Sequence, residues 1–138
     1  MIVKENTGEK ISSSSDVVRE LSEILELGNE VDRDKEHFWI IGLNTKNAVK
    51  FIDLVSLGTL SASIVRPREV FRLAVMKGTA SIIAGRNQPN GDPAPSSEDV
   101  AVTERLKEAG DILGITLLDH VIVGYSGRFV SLKDNGVL

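Results

Sequence analysis

Apolar residues recur at the spacing of amphipathic helices, three or four positions apart, in three stretches of the chain. The first stretch predicts a helix near residues 15–27, which follows a run of serines and ends before a glycine. The second begins at Pro67, since proline suits the first helical position, and ends at Gly78. The third begins at Ser96 and ends at Gly114. The pattern therefore predicts three helices.

Short apolar runs between the helices predict β-strands. Two of these runs flank the turn-rich segment 44–47 and predict a β-hairpin, and a second hairpin turns at Ser126 and Gly127. The predicted strands are residues 38–41, 49–52, 80–84, 117–123 and 128–132. Because helices and strands are interspersed, the predicted fold class is α/β or α+β, with helices packed against a mixed sheet.

The remaining segments are polar and predict loops. Residues 1–15 predict a flexible N-terminal arm that leads into the first helix, and residues 29–35 predict a charged loop. Residues 85–96 are too rich in Gly, Pro and Asn for regular structure. The chain has 138 residues, which is room for one domain, and we place that domain at residues 16–138.

The composition narrows the functions that this domain can have. Hydrophobic residues make up 41% of the chain and charged residues of both signs 26%, as in ordinary globular domains. The absence of cysteine excludes disulfides, thiolate zinc sites and cysteine nucleophiles. A net charge of −4 provides no basic field that would attract nucleic acid. Because the sequence shows neither a long apolar run nor a signal peptide, we expect a cytoplasmic protein with no membrane contact.

The Gly- and Pro-rich segment carries the most distinctive motif, Gly91-Asp92-Pro93-x-Pro95-Ser96-x-x-Asp99. Further motifs stand in order around it: Glu36-x-Phe38, Gly58-Thr59-Leu60, Arg66-Pro67-Arg68-Glu69-Val70-Phe71, Thr103 and Leu117-Leu118-Asp119-His120. From about Ser12 to Leu138 the sequence resembles the RadC family, a branch of the JAB/MPN superfamily whose metal-binding members carry the JAMM motif. The resemblance implies a JAB/MPN-like fold, an α/β (α+β) mixed β-sheet flanked by about three helices. It also implies a zinc pocket and an association with DNA repair.

This chain matches the zinc-binding motif of that family only in part. The general base falls on Glu36, the motif serine on Ser96 and the metal-binding carboxylate on Asp99. The two motif histidines fall on Arg86 and Gln88. Neither residue replaces an imidazole, because a guanidinium cannot deprotonate and an amide is a poor zinc ligand. The resemblance therefore predicts a vestigial site with no cofactor, although metal-binding members hold zinc.

The charge of this pocket predicts a role for Arg86. Without a dication, Glu36 and Asp99 would repel each other in a partly buried pocket, so that ionisation of at least one carboxyl would be disfavoured. The Arg86 guanidinium can take the position of the metal and bind a carboxylate through two N–H groups. A simpler interpretation of Ser96 and Asp99, which we favour over a metal role, is a capping box that opens the third helix. The simpler interpretation of His120 is a strand histidine bonded to a neighbour.

Three functions stay open. The first is a metal-free pseudo-metallohydrolase that acts as a protein-interaction module with an unidentified protein partner. The second is a zinc-dependent JAMM-type peptidase or isopeptidase that recruits its metal through Asp99, Glu36 and His120 or a partner's residue. The third is a DNA-processing accessory protein, which rests on the family association alone. Direct nucleic-acid binding has weak support, because the group of Arg66, Arg68 and Arg72 is typical of ordinary surface charge.

Overall fold

The computed structural model describes residues 1–58, 60–61 and 63–138. In chain order its elements are β1 Ile2–Glu5, α1 Ser14–Leu27, α2 Glu30–Arg33, β2 His37–Leu43, β3 Val49–Leu57, α3 Pro67–Val70, α4 Arg72–Met76, β4 Ser81–Asn87, α5 Ser97–Leu113, β5 Thr116–Val123 and β6 Phe129–Ser131. The strands form one sheet in the order β1-β3-β2-β4-β5-β6. Strands β4 and β5 are parallel and the other neighbours are antiparallel, so the predicted mixed sheet of an α/β fold is confirmed.

Both faces of the sheet are covered, which explains why every residue of the central strand β2 is buried. Successive strand residues point to opposite faces, so Phe38 and Ile40 enter one core whereas Trp39 and Ile41 enter the other. Helices α3, α4 and α5 pack on the first face, and α1 packs on the second. The helices contribute Val70, Leu73, Ala74, Val102 and Leu106 to the core on the first face, together with Phe71 from the junction of α3 and α4, and Val17 and Leu21 to the core on the second.

The ends of the long helix α5 confirm the sequence prediction. Ser96 is the N-cap, and Gly114 is the C-cap with a φ of 73°, in the left-handed region that glycine adopts without strain. The first predicted helix and the first hairpin are also confirmed, although both strands of that hairpin are longer than expected. The second predicted helix is interrupted at Phe71, which separates α3 from α4.

Strand β4 extends to Asn87, which corrects the prediction that residues 85–96 are all loop. Arg86 is hydrogen-bonded in the sheet on both sides, opposite Phe38 of β2 and Ile122 of β5. Pairing with two neighbouring strands overrides the loop preference of the local composition, because each pairing supplies backbone hydrogen bonds. Arg86 therefore has a fixed backbone, and only the segment that follows Asn87 is loop.

The predicted flexible arm over residues 1–15 is also corrected. Residues Ile2–Glu5 form the edge strand β1 and pair antiparallel with β3. The Lys4 ammonium lies 3.0 Å from the fully buried carboxylate of Glu20, which ties β1 to α1. The predicted charged loop over residues 29–35 likewise contains the short helix α2. Within the part of the chain that the structure describes, no helix is both long and apolar enough to cross a membrane.

Candidate functional site

The end of β4 and the first turn of α5 meet at the predicted pocket. Arg86 is the next-to-last residue of β4, and its side chain is 3% exposed. Asp99 is the third residue of α5, and its side chain is fully buried. The loop between them is held against the turn after β5, because the carbonyl of Gly91 accepts a hydrogen bond from Tyr125 N at 3.2 Å. Gly91 has a φ of +88°, which explains a glycine at this position.

Arg86 and Asp99 form a bidentate ion pair. Arg86 Nε donates to Asp99 Oδ1 at 2.6 Å, and Arg86 Nη2 donates to Oδ2 at 2.8 Å. This is the geometry in which a guanidinium matches a carboxylate most closely. The prediction that Arg86 lies within hydrogen-bond reach of Asp99 or Glu36 is therefore confirmed.

The remaining nitrogen of Arg86, Nη1, connects the other motif residues. It donates to Glu36 Oε1 at 3.1 Å, to Gln88 Oε1 at 2.5 Å and to the carbonyl of Asn87 at 3.1 Å. The second oxygen of Glu36 accepts a hydrogen bond from Leu60 N at 2.9 Å. The structure thus brings three predicted site residues, Glu36, Gln88 and Asp99, together around the guanidinium of a fourth, Arg86. The Glu36 carboxylate is used as a structural acceptor.

Ser96 and Asp99 also form the predicted capping box. The backbone N and the Oγ of Ser96 donate to Asp99 Oδ2 at 2.7 and 2.9 Å, and Asp99 N donates to Ser96 Oγ at 3.2 Å. Burial by itself raises the pKa of Asp99, but the hydrogen bonds from Arg86 and from the Ser96 backbone outweigh it. The pKa of Asp99 is therefore held below its usual value, and the carboxyl is ionised at neutral pH.

His120 lies behind Asp99 and is connected to it through Thr103. The Thr103 hydroxyl donates its one hydrogen to the Asp99 carbonyl at 2.7 Å, so His120 Nδ1, also at 2.7 Å, must donate to the Thr103 oxygen. Burial lowers the pKa of His120 to about 4, an effect that Asp99 opposes and Arg86 reinforces. His120 is thus a neutral imidazole bonded to a neighbour, as the simpler interpretation predicts.

Asn87 has a role in the site that was not predicted from the sequence. Asn87 Oδ1 accepts from His37 N at 2.5 Å, and Asn87 Nδ2 donates to the Lys35 carbonyl at 3.0 Å. These two bonds hold the backbone on either side of Glu36 and so fix where its carboxylate lies. The only signal was the position of Asn87 between the two substituted histidines, and this position does not reveal which neighbours it contacts.

The side chains at this site do not form a set of ligands that fits a zinc ion. A catalytic zinc takes three protein ligands and a water molecule. Both oxygens of Asp99 already accept hydrogen bonds from Arg86 or Ser96, and a guanidinium repels a dication. Among the residues that the structure describes, no three His, Asp or Glu side chains lie close enough together to hold a metal. The residues present bind one another instead.

Comparison with known proteins identifies the family. Residues 11–137 match the model of the RadC-like JAB domain. The chain belongs to that family. This RadC-like domain is 59% identical to a UPF0758 protein of Listeria innocua over 102 residues, which are 74% of this chain and 45% of that protein.

Two further relatives of the RadC-like domain are similarly named. It is 55% identical to a UPF0758 protein of Methanococcoides burtonii over 104 residues, 75% of this chain and 45% of that protein. It is 49% identical to a UPF0758 protein of Caldanaerobacter subterraneus over 126 residues, 91% of this chain and 52% of that protein. The chain therefore spans about half the length of the curated relatives that it matches.

Proposed function

We propose that this RadC-like JAB domain is a metal-free pseudo-metallohydrolase that acts as a protein-interaction module. The observation that carries the proposal is the bidentate pair between Arg86 and the buried Asp99, which also reaches Glu36. One guanidinium thereby places a positive charge beside both carboxylates, and it balances the fully buried one, Asp99. In this proposal the pocket is held together by these hydrogen bonds and needs no cofactor.

Hydrolysis would require groups that are already engaged. A general base at Glu36 would act on a metal-bound water, but its two oxygens accept hydrogen bonds from Arg86 and from Leu60 N. A zinc-dependent peptidase built on Asp99, Glu36 and His120 would first have to remove Arg86 from Asp99. Breaking a buried ion pair from one side typically costs on the order of 3 to 5 kcal/mol, which opposes that exchange.

The partner that we propose is a protein. The net charge of −4 disfavours capture of a phosphate backbone, and the Arg86 guanidinium is buried and already paired, so it offers nothing to a nucleic acid. What the domain offers is a rigid scaffold, because the hydrogen bonds of Arg86 with Asp99, Glu36 and Gln88, which we call the Arg86 network, join β4 to α5 and to the residue that precedes β2. A role in DNA repair would then be exerted through the protein partner.

Elemental analysis of the purified chain tests this proposal. After expression in zinc-supplemented medium and mild chelation, we expect fewer than about one zinc ion per ten chains, because two of the motif ligands are absent. Calorimetric titration with zinc should likewise show no site. One zinc per chain that survives chelation would contradict the proposal and would favour the peptidase.

A further inference from the structure

An exposed apolar groove lies between α4 and the end of α5 and shares no residue with the Arg86 network. Its volume is about 390 Å³, and its walls are formed by Pro67, Arg68, Phe71, Arg72, Val75, Met76 and Leu113. Val75 is 57% exposed, Met76 72% and Leu113 50%. Several large apolar side chains exposed side by side are typical of a surface that another molecule covers.

Arginines border this groove on one side. Arg68 and Arg72 are part of its wall, and Arg68 and Pro67 also line an adjoining cleft of about 330 Å³ with Ser63, Arg66 and Arg105. Arg66, Arg68 and Arg72 are exposed, and among the described residues no carboxylate lies within 4.0 Å of these three guanidinium groups. The chain as a whole has a net charge of −4, so these exposed arginines form a local basic group on an acidic chain, with Glu69 as the one acidic residue between Arg66 and Arg72 in the sequence.

We propose that this arginine-rimmed groove binds an acidic amphipathic segment of a partner protein. Apolar side chains of the segment would fill the space between Phe71, Val75 and Leu113. Its carboxylates would bind the guanidinium groups of Arg68 and Arg72, which suit carboxylates through paired N–H donors. The inference rests on the proposed interaction function and deepens it, since it names the surface and the chemistry of the partner.

Charge complementarity selects this occupant. The chain has a net charge of −4, whereas Arg66, Arg68 and Arg72 are exposed beside the groove, so an acidic segment is attracted locally to a chain that repels it overall. A nucleic acid would use the arginines but would leave Val75, Met76 and Leu113 without a partner. A segment that combines acidic and apolar side chains accounts for both halves of the surface.

Selection from a phage-displayed library of short random peptides against the full chain tests the inference. We expect the recovered peptides to combine Leu or Phe with Asp or Glu. Their affinity for Arg68→Glu/Arg72→Glu and for Val75→Ser/Met76→Ser should fall at least about tenfold in fluorescence polarisation, as for central contacts of an interface. All four side chains are exposed, and circular dichroism melts check that the variants fold.

Two matched controls share the chemistry of these changes elsewhere on the surface. Arg33→Glu reverses an exposed charge that lines a different cavity, beside Gln88, and Leu27→Ser removes a side chain that is 84% exposed. Both should leave peptide affinity unchanged within about twofold. If peptide affinity falls for Arg33→Glu but not for the two groove variants, the groove is not the binding site. The proposed interaction function would still stand.

Three other results would also overturn the inference. One is a set of recovered peptides that lack acidic residues, or that bind both groove variants with the same affinity as the parent chain. Another is tight binding of a single-stranded DNA oligonucleotide that Arg68→Glu/Arg72→Glu abolishes and Val75→Ser/Met76→Ser does not. The third is a dimer in sedimentation velocity that Val75→Ser/Met76→Ser dissociates, because the groove would then be covered by a second copy. Zinc content tests the proposed metal-free function separately, so a failure of that proposal can be distinguished from a failure of this inference.

Discussion

The Arg86 guanidinium binds the Asp99 carboxylate through two parallel hydrogen bonds, at 2.6 and 2.8 Å, with both side chains almost fully buried. A monovalent cation thus stands beside two carboxylates, since Arg86 also contacts Glu36 at 3.1 Å. The Glu36 side chain is 26% exposed, so water can stabilise the charge that Arg86 does not balance. The buried carboxylate receives the bidentate contact, and the partly exposed one receives the weaker contact.

Restoring the two motif histidines should restore zinc binding. The side chains of Arg86 and Gln88 already meet, with Nη1 and Oε1 2.5 Å apart, and Arg86 reaches Asp99. Arg86→His/Gln88→His therefore removes the competing cation and places two imidazoles within reach of that carboxylate. We expect calorimetric titration to show about one zinc per chain with micromolar or tighter affinity.

The two single variants are the controls for this reversion. Arg86→His alone supplies one imidazole, and Gln88→His alone leaves the guanidinium on Asp99, so neither should bind zinc at micromolar concentration. A double variant that folds but takes up no zinc would mean that the surrounding residues no longer orient the ligands.

His120 should remain neutral through the physiological pH range. Burial lowers its pKa to about 4, against roughly 6.5 in an unfolded chain, so the unfolded state binds more protons between these two values. Stability should consequently decrease as the pH falls from about 6.5 toward 4. In the variant His37→Gln only one histidine remains, and its ring resonances in NMR spectra should not shift until the pH is below about 5. A titration midpoint near 6.5 would contradict burial of this ring.

Two buried threonines give a matched test of the connection between His120 and Asp99. Thr103→Val leaves His120 Nδ1–H without an acceptor, which should lower the free energy of unfolding by about 1 to 3 kcal/mol. Among the described residues the hydroxyl of the buried Thr79 has no hydrogen-bond partner, so Thr79→Val should be neutral or stabilising. Urea denaturation measures both variants. If both variants lose the same free energy of unfolding, the loss comes from replacing a hydroxyl by a methyl group in the core and not from the hydrogen bond of Thr103 with His120.

The local signals in the sequence predicted the ends of α5 and the contact between Arg86 and Asp99. Ser96 and Gly114 carry their cap preferences in their own chemistry, and the pairing of Arg86 with Asp99 follows from charge once the resemblance aligns their positions. These features depend on residues close in sequence or on a motif of fixed spacing, so a single sequence contains enough information to predict them.

Features that depend on distant pairing could not be predicted in this way. The extension of β4 through Arg86 requires β2 and β5 on either side, and the edge strand β1 forms because β3 offers a free edge. Asn87 acquires its role only when the sheet places it beside Lys35 and His37. Composition favours a loop at both segments, and contacts made across the fold outweigh that preference.

The stability of Arg86→Met at two pH values tests most directly whether the guanidinium balances the buried charge. At neutral pH the variant strands the ionised Asp99 in a buried site, so the free energy of unfolding should fall by more than about 2 kcal/mol. Without Arg86 the pKa of Asp99 should rise, so protonation near pH 4.5 should relieve part of that loss. The exposed Arg128, 4.0 Å from Asp92, is the control, and Arg128→Met should cost less than about 0.5 kcal/mol. A loss for Arg86→Met as small as the control's, and equal at both pH values in urea denaturation, would contradict the central claim.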